Sequence, residues 1–384
     1  MEIKIDRTDE MRLRQELEAR TDFEALREKR YLAMPDLSRT PGSPLAEIID
    51  RVKAVPALAG FDVIEIPEIV PTDIFFDPFD FPADHPARSK SDTYYVDEKN
   101  ILRPHDTVFW YYYLNDPEIK ARIARGESMG ALCYGKVYRK DEIDSRHMNV
   151  FHQLGGWYIA PDSETIAVED LQEALSQIVK AVFGAQAVIR FNPDTFPYTD
   201  PSLEVEMNVK GTAAEGPAKG DWLELLGGGM PKKSVLKNLG LEGYHGWAFG
   251  FGLERLAIAS MALPDIRLLW SDDERVKKQL VLGEVYREVS KYPPVVRDIS
   301  FIVPSTFVPN DYFDVVREVG GDVVEDVALL DKYENEAKLG AGNVSYAYRI
   351  TYRSLERTLT NDEVNALHQK LEDATRKTFS ATIR

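Results

Sequence analysis

The sequence predicts an α+β protein in two parts: a mostly antiparallel sheet flanked by helices, then a smaller antiparallel sheet with helices on one face. Three observations carry this. Between Leu132 and Ala160, the strand-like runs CYGKVYR and NVFHQLGGWYI flank the polar stretch KDEIDSRHM, the pattern of a β-hairpin with a long charged tip. At ERVKKQLVLGEVYREVSKYPP the composition breaks, and a charged tether runs into Pro293-Pro294. Beyond it, the order strand, helix, strand, strand, helix fits a split βαβ sandwich.

Residues 8–30 are dense in Leu, Glu and Arg at helical spacing, so residues 1–40 form a helical arm. The loop PDLSRTPGSP leads into a helix that places Leu45, Ile48, Ile49 and Val52 on one face. The run Asp62 to Val70 is a strand, and because Pro67 cannot donate to a ladder it belongs at a sheet edge. The aromatic, Pro-rich stretch Asp73 to Pro86 suits an ordered loop lining a site. After the hairpin come a helix from Val168 to Phe183, strands near Ala187–Phe191, Leu203–Val209 and Asp221–Leu226, and a helix opening at Gly252. The domains expected are 41–275 for the large part, 276–290 for the linker and 291–384 for the small one, whose last helix is capped by Thr360 or Asn361.

Composition narrows the function. No apolar run approaches the roughly 18 residues of a bilayer span, so no membrane association is expected. The N-terminus has acidic residues throughout and no apolar core, unlike a secretory or transit peptide. A single Cys133 fits a reducing compartment, and the expectation is a cytoplasmic protein. The net charge of -17 argues against binding nucleic acid by bulk phosphate neutralisation. P-loop and zincin motifs are absent, Gly250-x-Gly252-x-x-Arg255 lacks the third glycine of a dinucleotide fingerprint, and the G-x-S-x-G at Gly126–Gly130 lies between a helix and a strand, the wrong way round for a nucleophile elbow.

Two places carry chemistry. On an extended hairpin, Arg139 on one strand shares a face with Phe151 and Gln153 on the return strand. A forked cation for phosphate, a ring for a base and an amide for a small polar ligand then stand together, with Asp141, Glu142, Asp144, Arg146 and His147 at the tip. The alternative is a structural ion-pair cluster. The second place is WLELLGGG (Trp222–Gly229) with GWAFGFGLERL (Gly246–Leu256), where glycines at a strand–helix corner allow close approach and Arg255 in the first helical turn reaches an anion. The alternative is a tightly packed corner with Arg255 paired to Glu254 or Glu224.

In this order, a helix with a proline-bearing strand, an R-x-D hairpin and a G-x-G-x-x-R-L helix start resemble the three motifs of class II aminoacyl-tRNA synthetases. HPARSKSDTYY, LRPH, GKVYRKDEID with FHQL, FPYTDPSLEVE, WLELLGGGM and GWAFGFGLERL resemble the phenylalanyl-tRNA synthetase family in particular, and KYPPVVRDISF onward resembles its ferredoxin-like βαββα anticodon-binding domain. The resemblance covers everything after the first 40 residues or so.

It implies ATP-dependent activation of phenylalanine to the adenylate and transfer to tRNA(Phe), with Mg2+. By similarity Arg139 and Arg255 are the catalytic cations on the α- and γ-phosphates, Phe151 stacks on adenine, Asp141 and His147 contact ATP, and Glu224 is the magnesium-associated carboxylate. The amino-acid pocket maps to His105, Thr107, Gln153, Phe196 and Tyr198, with Ala248 setting its size. The chain departs from the family in three places. Gly155 stands where a glutamate helps bind the substrate ammonium, Tyr198 replaces a phenylalanine, and Pro104-His105-Asp106-Thr107 replaces T-H-T-S, followed by the cluster Phe109–Tyr113, read as core. Asp106 is the candidate for the missing charge. The alternative is a paralogue activating a different amino acid or carboxylate. From Lys291 on there are 12 basic and 15 acidic residues, and Arg349, Arg353, Arg357, Arg376 and Lys377 are the expected tRNA phosphate contacts. A monomer or homodimer is expected.

Overall fold

The structure is a computed structural model that describes residues 1–141, 144–210 and 221–384; Glu142 of the hairpin tip lies outside the described residues. The chain divides into two compact units, Met1–Tyr286 and Arg287–Arg384.

The strands of the first unit are β1 (Glu2–Lys4), β2 (Asp62–Glu65), β3 (Ile69–Pro71), β4 (Asn100–Leu102), β5 (Met129–Tyr138), β6 (Val150–Pro161), β7 (Ile189–Phe196), β8 (Thr199–Asn208), β9 (Trp222–Pro231) and β10 (Tyr244–Gly252). Eight of them form one sheet in the order β1-β2-β5-β6-β10-β9-β8-β7. From β5 to β7 every pairing is antiparallel, whereas β1 and β2 join in parallel at the far edge.

That edge corrects two expectations. The N-terminal arm is not purely helical, because its first residues pair with β2 (Ile3 with Ile64) and bury Ile3. Nor is Asp62–Val70 one edge strand. It breaks after Glu65, β2 lies inside the large sheet between β1 and β5, and β3 pairs with β4 in a separate two-stranded sheet. Pro67 falls in the break, where its missing N–H costs no ladder bond.

The hairpin of β5 and β6 is the longest uninterrupted ladder of the site, running from Met129 opposite Ile159 to Tyr138 opposite Val150. The aromatic stretch after β3 is not a plain loop. Its first part winds into short helical turns at Thr72–Phe76 and Asp77–Phe79, which bury Phe75, Phe76 and Phe79. They pack with Trp110, Tyr113 and Trp157 in one core, where Trp110 and Trp157 stack at 4.5 Å. The Phe109–Asn115 helix thus is core, as its composition suggested.

The second unit pairs β11 (Val295–Pro304), β12 (Val324–Tyr333), β13 (Asn343–Tyr352) and β14 (Thr382–Ile383) in the order β12-β13-β11-β14. Ile299, Phe301 and Val303 alternate inward on β11 and meet Tyr312, Val316 and Leu371 of the helices Pro309–Gly320 and Asn361–Phe379. The final strand β14 extends the expected βαββα order by one element. Thr360 is the cap: its hydroxyl accepts from the Glu363 N–H while Glu363 accepts from the Thr360 N–H, a capping box. No helix among the described residues is long and apolar enough to cross a membrane.

Candidate active site

A cavity of about 580 Å³ opens over the antiparallel part of the large sheet. Arg139, Phe151 and Gln153 of the hairpin line it together, as period-two alternation requires. The intervening His152 faces the other way and is fully buried. Its Nε2 accepts from the Leu37 N–H at 2.9 Å, so Nδ1 carries the proton and donates to Glu254 Oε1 at 2.7 Å. Glu254 also accepts from the His152 backbone N–H. This link fastens the start of the helix Leu253–Met261 to β6, so that Arg255, one residue on, is fixed relative to Phe151 and Gln153. The sequence had offered Glu254 or Glu224 as the partner of Arg255. The structure pairs Arg255 with Glu224 at 2.6 Å and gives Glu254 to His152.

Arg139 and Arg255 both line the cavity. Arg139 donates Nε to the Pro104 carbonyl at 2.8 Å and lies 5.3 Å from the centre of the Phe151 ring. Burial first, and the like charge of Arg255 after it, weaken the hold of Arg139 on its proton, while Tyr198, Asp141 and Asp106 oppose that. Two guanidinium groups that feel one another across a cavity are suited to a polyanion. His147 is held by Asp144 (Nδ1 to Oδ2, 2.8 Å), and it lines the same cavity with Asp141 and Glu224.

The run Gly227–Gly229 does not mark a strand end. It lies within β9, and the reason for glycine is lateral: a Cβ at Gly228 would come within 2.6 Å of the Ala248 carbonyl oxygen, and one at Gly227 within 2.9 Å of the Phe196 ring. Phe196 therefore packs down on β9, and Tyr198 stacks on it at 6.2 Å. Tyr198 also meets Phe79, Phe81 and Trp110. Burial raises the pKa of its hydroxyl, and Thr107 hydrogen-bonds to it and partly offsets the rise. Phe196, Tyr198, Trp110 and the nearly buried Ala248 give the cavity an aromatic wall.

His105 is placed differently from the other candidates. It is not part of the cavity lining. It sits against Phe75 (4.4 Å) and Phe81 (5.9 Å), both ring nitrogens lack a hydrogen-bond partner, and burial pulls its pKa down to about 3, so the ring is neutral. Asp106, one residue on, does line the cavity. Sequence reasoning missed Arg103, which is buried beside it and donates Nε to the Lys136 carbonyl. An arginine directly after the apolar Ile101-Leu102 was the available signal.

Among the described residues no group of three or more His, Cys, Asp or Glu side chains is arranged to hold a metal. Glu224 is half exposed and paired with Arg255. The expected tRNA contacts of the second unit are tied to carboxylates: Arg349 to Asp298 (2.8 Å), Arg353 to Glu325 (2.9 Å), Arg357 to Glu363 (2.7 Å) and Arg376 to Asp373 (2.6 Å), while Lys377 is exposed.

The first unit, with this sheet and cavity, is a class II tRNA synthetase core by its family match. The model of the tRNA synthetases class II core domain (F) matches residues 32–280, and that of the ferredoxin-fold anticodon binding domain matches residues 290–384. Phenylalanine–tRNA ligase, chloroplastic/mitochondrial, of Arabidopsis thaliana is 40% identical over 332 residues, which cover 83% of this chain and 72% of that protein. The mitochondrial phenylalanine–tRNA ligase of Mus musculus is 37% identical over 349 residues (81% and 72%), and the phenylalanine–tRNA ligase alpha subunit of Caldicellulosiruptor bescii 34% over 240 (61% and 67%). The chain belongs to the phenylalanine–tRNA ligase family. The organellar names of the plant and mouse relatives overturn the cytoplasmic expectation. That expectation rested on a single cysteine and on acidic residues in the N-terminal stretch, and a reducing interior does not separate the cytoplasm from an organelle.

Proposed function

We propose that the chain is a ligase that uses ATP to activate phenylalanine as the adenylate and transfers the acyl group to tRNA(Phe). The observation that carries this is one cavity lined by Arg139, Arg255 and an aromatic wall, in a chain of this family. In the step proposed, the substrate carboxylate attacks the α-phosphorus and pyrophosphate leaves. No protein nucleophile is needed, because positioning and charge neutralisation do most of the work.

Arg139, braced by Pro104, would hold the α-phosphate and Arg255 the γ-phosphate, with Phe151 against adenine and Asp141 and His147 at the nucleotide's edge. Phe196, Tyr198 and Ala248 would take the phenyl ring, Thr107 would brace the Tyr198 hydroxyl, and Gln153 would meet the polar groups of the amino acid. His105 would act only from behind, through Tyr198, whose ring lies 6.2 Å from it. The half-exposed Glu224 carboxylate would help hold a Mg2+ ion, which would neutralise phosphate charge when bound. In the second unit, contacts with tRNA phosphates would come from Lys377 and from Arg349, Arg353, Arg357 and Arg376 after exchange of their carboxylate partners. A monomer or homodimer is compatible with this site, and sedimentation separates the two.

The test is ATP–pyrophosphate exchange over all twenty amino acids. Exchange that is strongest with phenylalanine supports the proposal; exchange with another amino acid, or with none, rejects it.

A further inference from the structure

Asp106 is 3% exposed, lines the cavity and has an Oδ2 buried without a hydrogen-bond partner. A carboxylate oxygen hidden from water and left unpaired is costly unless something completes it. Its surroundings are shaped around it. A Cβ on Gly155 would fall 2.6 Å from Oδ2 and 2.9 Å from Cγ, and one on Gly250, paired with Gly155 across β6 and β10, would lie 3.8 Å from Oδ1. The carboxylate thus rests on two bare backbones. The Asp106 backbone N–H donates to Gln153 Oε1 at 3.2 Å, which ties the residue to the hairpin. Within the same cavity, Trp110, Phe196 and Tyr198 supply an aromatic wall, and a carboxylate beside aromatic rings is chemically matched to a cation carried close to a ring.

We infer that Asp106 receives the α-ammonium group of the amino-acid substrate, and that position 155 is glycine because the Asp106 carboxylate occupies the space a side chain would need. The inference rests on the function proposed above and assigns the group that fixes the amine. Burial lifts Asp106 to about 7, against the opposing charge of Arg103, and an ammonium at Oδ2 would stabilise its ionised form.

The test is Asp106→Asn, which keeps shape and removes charge, assayed in the full chain with a melting curve as a folding control. The KM for phenylalanine in exchange rises roughly 10- to 100-fold, the range of a charged hydrogen bond, while the KM for ATP stays put. Calorimetry supplies a readout free of turnover: the wild type binds phenylalanine far better than 3-phenylpropanoate, which lacks only the amine, and the variant loses most of that preference. If Asp106→Asn does not fold, Asp106→Ala/Gly155→Glu replaces it, returning a carboxylate from the neighbouring strand into the vacated space; it binds phenylalanine more tightly than Asp106→Ala. A wild type active with phenylalanine and a folded variant with unchanged phenylalanine KM and amine preference overturn this inference alone, as does an equal rise in both KM values. A wild type that exchanges with no amino acid overturns the proposed function and this inference with it.

Discussion

Two groups of residues line one cavity under opposite physical conditions. Arg255, Glu224 and His147 are about half exposed and paired with neighbours, Arg255 with Glu224 and His147 with Asp144. Asp106, Ala248 and Trp110 are buried, Phe196 and Tyr198 are partly so, and Asp106 Oδ2 is unpaired. Charges in the first group are screened by water and already satisfied, so a ligand there exchanges one partner for another. Charges in the second stand in a low dielectric, where each polar atom left without a partner is expensive and each partner gained counts for more. Arg139 belongs to both: its charge is desolvated, yet it faces the exposed Arg255.

The largest expected effect breaks the contrast at that shared point. Arg139→Ala lowers the exchange rate by roughly 10²- to 10³-fold, as loss of a preorganised charge donor does, and steady-state kinetics reads it. Arg255→Ala costs less, by roughly tenfold, because its group is exposed and Glu224 is freed with it. Gly155→Ala sharpens the contrast from the buried side. The added methyl meets Asp106 Oδ2 at 2.6 Å, so the carboxylate must move, and the KM for phenylalanine rises roughly tenfold with the KM for ATP unchanged.

A fourth prediction uses pH. Facing Asp106 are Arg103, Arg139, Tyr198 and Cys133. Burial raises the pKa of the Tyr198 hydroxyl and pushes the Cys133 thiol up to about 12, so neither loses its proton near neutrality, and His105 stays neutral down to about 3. Of these groups Asp106 is the one that changes charge near pH 7. Its proton is held more tightly in the fold than in the unfolded chain, so its contribution to stability is fullest below the unfolded value near pH 4 and is lost as pH rises through about 7. Asp106→Asn therefore raises the melting temperature at pH 8 by several degrees and by less at pH 5, which calorimetry measures. Binding runs the other way, and the phenylalanine KM of the wild type rises as pH falls below about 7.

The smallest effect concerns the second unit. With four of the five candidate tRNA contacts already paired to carboxylates, tRNA affinity falls only gently with salt, and Lys377→Ala shifts it by less than about tenfold. Filter binding across a salt series checks this.

What was legible in the sequence follows from local rules. The hairpin and the shared face of Arg139, Phe151 and Gln153 come from a period of two, and the capping box at Thr360 from residues three apart. What was not legible depends on contacts between distant segments. β1 is three residues long and has strand character only because β2 accepts it. Gly227–Gly229 looked like a corner, and only the approach of Phe196 and the Ala248 carbonyl explains glycines within a strand. Asp106 was singled out by its charge, but its lack of space beside Gly155 is a tertiary contact across 49 positions. The displacement of His105 behind Phe75 and Phe81 is likewise a matter of packing.

Central to the proposed function is that the exposed Arg255 and the aromatic wall serve one ligand. Titrating the full chain with a non-hydrolysable phenylalanyl-adenylate analogue tests this directly. One molecule should bind per site at least about 10²-fold more tightly than phenylalanine or ATP alone, because linked groups fill both regions at once. Affinity no better than that of the tighter of the two separate ligands would contradict it.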